Sequence, residues 1–98
     1  MIDVVEEKGR RFRFLNAVYD ETGANEDAAI NRYEIEKALG FDREAAERVV
    51  QFLVGEGLIR HRTQVHVGIT HVGVVEVEAA VSKPDEPTHY FPPVNIIN

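Results

Sequence analysis

Three groups of cationic side chains stand out as residues that could bind an anion. Arg43 and Arg48 fall beside Gln51 in the run DREAAERVVQ. Arg60 and Arg62 alternate with His61 in RHRTQVHVGIT, a stretch with positive charge and no carboxylate. Lys8, Arg10, Arg11 and Arg13 interleave with Phe12 and Phe14. A guanidinium presents a planar fork of donors that matches a phosphate or a carboxylate, so arginines are the first residues to weigh for polyanion contact. Such contacts position a protein without reading a sequence. Each group also has a plainer reading. Arg60 to His66 fits a solvated hairpin, and the N-terminal group fits one exposed helix face balanced by Glu6 and Glu7, which is the reading preferred there.

Other chemistries find little support. His61 and His66 would face each other across a hairpin with its turn at Thr63-Gln64, and His71 follows closely. A metal site needs three or four placed ligands, and no carboxylate spacing completes one, so no metal is expected. The chain has no cysteine, which removes disulfides, thiolate catalysis and cysteine-ligated zinc. Ser82 and Thr70 lack a nucleophile-elbow context, and there is no HExxH motif or glycine-rich phosphate loop. Gly55 and Gly57 read as a helix exit. Neither enzymatic activity nor a cofactor is expected.

Composition limits the rest. The chain has 98 residues, room for one domain with a modest core. Its 44% hydrophobic and 29% charged residues are those of a folded globular protein. A net charge of -6 and a pI near 5.1 argue against general polyanion binding, although a local basic face can act on an acidic protein. No apolar run approaches the roughly 18 residues of a membrane span. The start, MIDVVEEKGRR, lacks the apolar centre of a secretory signal. A cytoplasmic setting is expected.

These side chains must be positioned by elements that the sequence outlines. Asp3 with Glu6 has capping-box spacing, so a first helix begins near Val4, buries Phe12, Leu15, Val18 and Tyr19, and stops at Gly23. Ala28-Ala29-Ile30 allows only a very short strand. Asn31 with Glu34 opens a helix over Arg32 to Leu39, with Ile35, Ala38 and Leu39 inward and Gly40 as its cap. Asp42 caps the next helix, whose apolar stripe is Ala46, Val49, Val50 and Leu53. On its outer side Arg43–Glu47 and Glu44–Arg48 stand at pairing distance along the helix. Alternation from Leu58 to Thr70 predicts a hairpin. Thr70 then caps a helix carrying Val74, Val77 and Val81, which ends before Pro84. Residues 83–98 form a proline-rich acidic linker and an apolar tail that Pro92-Pro93 should keep extended.

This order, over about residues 8–82, resembles the winged helix-turn-helix superfamily. The likeness rests on ALGFD as the turn between helices, VGEGLI as the exit into the wing and GITHVG as the start of the closing helix. It implies an α+β fold with a three-helix core, a short β-hairpin wing and a closing C-terminal helix within residues 1–82. It also implies that Asp42 to Val54 is the element DNA-binding members place in the major groove, with the Arg60–Val67 hairpin on the backbone or minor groove. The nucleic-acid contacts so implied are Arg43, Arg48, Gln51, Arg60 and Arg62. Here the chain departs from the pattern. Asp42, Glu44, Glu47 and Glu56 against Arg43 and Arg48 leave the run Asp42–Glu56 at -2, and carboxylates near phosphates weaken binding.

Two functions follow as expectations. One is a regulatory module that binds duplex DNA through this helix and the wing. The other is a protein-interaction or oligomerisation module, the N-terminal part of a longer protein, with Tyr90, Phe91, Val94, Ile96 and Ile97 as partner contacts. Fold frequency favours the first, which is the preferred reading. Acidic charge and the apolar tail favour the second, since an exposed apolar strand needs cover.

Overall fold

The computed structural model describes residues 2–97. Helix α1 (Val4–Thr22) begins where an Asp3 carboxylate oxygen accepts the amides of Val5 and Glu6. After the strand β1 (Ile30–Asn31), the Asn31 side chain accepts the Tyr33 amide and starts α2 (Arg32–Leu39). Gly40 closes α2 at φ 73°, a left-handed conformation open to glycine at little steric cost, and the Phe41 amide returns to the Glu36 carbonyl. Asp42 then accepts the Ala45 amide and opens α3 (Arg43–Gly55). Strands β2 (Ile59–His61) and β3 (His66–Ile69) lead into α4 (His71–Ser82), capped by the Thr70 hydroxyl on the Gly73 amide.

The fold is α+β, with four α-helices and a three-stranded antiparallel sheet among the described residues. The strand order is β1-β3-β2, so the strand preceding α2 comes back to flank the hairpin. The core gathers Phe12, Phe14, Leu15 and Val18 of α1, Val49, Val50 and Leu53 of α3, and Leu58, Ile59, Val67 and Ile69 of the sheet region. Ile35, Val77 and Phe91 complete it from α2, α4 and the tail. Burying each such side chain contributes about 1.5–3 kcal/mol. No helix among the described residues is long and apolar enough to cross a membrane.

Four expectations need correction. The hairpin pairs Ile59 with Ile69 and His61 with Val67, so His61 does not oppose His66. The Thr63 hydroxyl accepts the amides of Val65 and His66, and the Arg62 amide donates to the His66 carbonyl at 2.8 Å. That side-chain turn adds one residue to the loop. On α2, Ile35 is buried but Ala38 is exposed, and Arg32 and Glu36 are buried instead. A buried charge is tolerable when paired, and these two bond to each other at 2.7 Å.

On α4 the inner face is Gly73, Val77 and Ala80, while Val81 is exposed. Glycine decides this rotation. A methyl group at Gly73 would collide with the Leu58 carbonyl oxygen, so its absence lets α4 approach the backbone entering β2. The tail makes one 3-10 turn at Val94–Ile96 directly after Pro93, where an extended segment was expected. The diproline fixes its own backbone but does not bar a turn that begins behind it.

Candidate functional site

The apolar stripe of α3 sets which of its polar residues face outward. With Ala45, Ala46, Val49, Val50 and Leu53 buried, Arg43, Glu44 and Gln51 are exposed, and Glu47 and Arg48 are half-buried. The expected pairs along the helix do not form. Glu47 instead meets the Arg32 guanidinium at 2.7 Å, and Arg48 Nε donates to Glu7 at 2.9 Å. Both distant partners are only 4% exposed. A buried ion needs a partner far more than a solvated one does, so the cross-helix pairs win. Arg43 lies with its guanidinium 5.1 Å from the Tyr33 ring centre, the distance of a cation–π contact.

Glu7 therefore links two cations, Arg48 and Arg10, the latter at 3.0 Å. The Arg48 hydrogen bond holds its carboxyl below the ordinary range against the opposing effect of burial, with Arg10 adding to the shift. The same bond raises Arg48. A carboxyl depressed in the folded state contributes stability above its unfolded pKa of about 4.3, and that stability is lost as pH falls through the lower folded value. Denaturation of wild type and Glu7→Gln should thus show a gap that is full well above the unfolded value and shrinks as pH falls below it. A gap independent of pH would mean that the Glu7 charge is not what stabilises.

The N-terminal basic group is not the open helix face expected. Arg11 stacks over the Phe52 ring at 3.7 Å and Arg13 over Phe41 at 5.5 Å, while Arg10 holds Glu7. Phe41 precedes α3 and Phe52 lies within it, and no local spacing pointed to them. In the wing, Arg60 and Arg62 have exposed side chains, and both donate to the Glu26 carbonyl, at 3.0 and 3.4 Å. His66 Nδ1 is 3.0 Å from the Thr63 hydroxyl, and His71 is 3.5 Å from a Glu26 carboxylate oxygen. No three His, Asp or Glu side chains among the described residues converge where a metal could sit.

The tail residues divide. Phe91 is 1% exposed and meets Phe12 edge-on, ring centres 5.3 Å apart. Tyr90 packs edge-on against Phe52, and Val94 and Ile97 are half-buried on the core. Only Ile96, of the five, stands out at 63% exposure. The larger exposed apolar surfaces lie elsewhere. Val72, Val75 and Val81 face outward on α4, and Ile2, Val4 and Val5 do so around the start of α1. Two of the grooves on the surface lie against α1. One, of 450 Å³, runs between α1 and α3 past Val4, Arg48, Gln51 and Phe52. The other, of 590 Å³, opens between α1, α2 and β1 and includes Glu21, Ile30, Glu34 and Ala38. No protein-family model, curated protein or solved structure matches this chain.

Proposed function

We propose that this chain is a protein-interaction module built on a winged-helix layout. The order helix, strand, helix, helix, hairpin, helix, with β3 between β1 and β2, supports that layout. One observation carries the choice of function: the arginines that would meet DNA already have partners within the chain. Arg48 holds buried Glu7, Arg43 stacks on Tyr33, and Arg60 and Arg62 share the Glu26 carbonyl. A phosphate reaching Arg48 would meet a guanidinium whose charge Glu7 already balances and whose Nε is already donated to it. Exposed carboxylates at Asp42 and Glu44 add repulsion on the same helix. Apolar side chains, by contrast, are freely available on α4 and α1.

Duplex DNA remains the second reading, because Arg43, Gln51, Arg60 and Arg62 are all exposed. Titrating a labelled duplex between about 50 and about 200 mM salt separates the two. The interaction reading expects no saturable binding at the lower salt. Saturable binding that weakens steeply with salt, and loses about one unit of slope per arginine removed from Arg60 or Arg62, would overturn it in favour of DNA.

A further inference from the structure

We infer that the groove between α1, α2 and β1 docks a cationic amphipathic segment of a partner protein. This rests on the protein-interaction reading and names the partner's chemistry. Ala17, Ile30, Ile35, Ala38 and Leu39 form the groove's apolar part, beside the polar side chains of Asn31 and His66. It includes the part of the α2 apolar stripe that the core leaves uncovered: Ala38 is exposed and Leu39 half-buried. The volume of the groove is 590 Å³.

The rim gives the sign of the partner. Glu21 from α1 and Glu34 from α2 both line the groove; His66 of β3 lines it too, but no lysine or arginine does. Neither carboxylate has an ion-pair partner among the described residues, whereas Glu6, Glu7, Glu36 and Glu47 all bind arginines. These two carboxylates are left free beside uncovered apolar surface. A segment with lysine or arginine on its edges and leucine-like side chains between them satisfies both features at once, the mode in which an amphipathic helix fills a groove. The chain's net charge of -6 would steer such a partner to the surface.

The test uses the full chain and two labelled peptides with leucines at helical spacing, one carrying lysines and the other glutamates. Anisotropy should show saturable binding of the lysine peptide only. Glu21→Gln with Glu34→Gln should weaken it about three- to tenfold, the range for two exposed charge contacts. Ala38→Trp, at an exposed position outside the core, should fill the groove and abolish binding with the fold intact by circular dichroism. Lysine-peptide binding untouched by either variant would mean diffuse attraction to an acidic surface and overturn the groove. Equal binding of the glutamate peptide, or no binding of either, would overturn it as well. None of these failures touches the broader reading, which stands or falls on the duplex titration.

Discussion

Phe91→Ala should lower the stability of this chain by about 3–5 kcal/mol, the usual result of emptying a buried phenylalanine site. The side chain is 1% exposed and packs edge-on against Phe12, which is itself buried in the centre of α1. Domains of this size have about 5–15 kcal/mol in total, so one ring in the tail would account for a large share. The loss should appear as a fall in melting temperature on the order of 20 °C. Cutting the chain after Ser82 should do at least as much, because it also removes Tyr90 from Phe52 and Val94 and Ile97 from the core edge. Thermal melts of the three proteins decide it. Coincident melts would mean that the tail is a loose appendage and that Phe91 is free to engage a partner.

The second large effect concerns Arg32. Arg32→Met keeps a long side chain in place but strands Glu36, a carboxylate whose residue is only 6% exposed. Breaking a buried pair from one side costs about 3–5 kcal/mol, since the remaining charge has neither water nor partner. Burial disfavours the Arg32 charge too, yet Glu36 and Glu47 outweigh it and raise the pKa of the group. Glu47 is 43% exposed and can turn to solvent, so it suffers less. Arg32→Met with Glu36→Met should therefore be more stable than Arg32→Met alone, because the pair leaves together and only apolar atoms fill the space. Urea denaturation of wild type, the single and the double variant measures this. A single variant within about 0.5 kcal/mol of wild type would show that the pair is not a structural device.

The elements were legible in the sequence because their ends are written locally. Asp3, Asn31, Asp42 and Thr70 each bond an amide within three residues, and Gly23 and Gly40 stop the helices they follow. The stripe of α3 was legible for a similar reason, since one helical period determines it. The charge pairing was not. Arg43 with Glu47 and Glu44 with Arg48 satisfy every local rule, but burial of Glu7 and Arg32 depends on how α1, α2 and α3 meet, and that burial draws Arg48 and Glu47 away. The hairpin register failed on one side chain, Thr63, whose hydroxyl replaces a tight turn. The tail was recognised as apolar, but nothing local could say that Phe91 fits against Phe12.

The candidate site follows the same division. Arg43, Gln51, Arg60 and Arg62 are outward, as residues meant for contact must be, and Arg48 is tied inward to Glu7. The groove under α2 was written in the sequence only as an apolar stripe, and the stripe alone cannot tell a covered face from an open one. Its two free carboxylates became meaningful once their neighbours were known.

The most direct test of the account sets opposite polyions against one sample of the full chain at about 50 mM salt. A labelled duplex and the labelled lysine–leucine peptide are titrated in parallel. Arg48 tied to Glu7 and carboxylates free on the surface predict saturable binding of the peptide and none of the duplex. Saturable binding of the duplex that disappears in Arg60→Ala with Arg62→Ala, with no binding of the peptide, would contradict it.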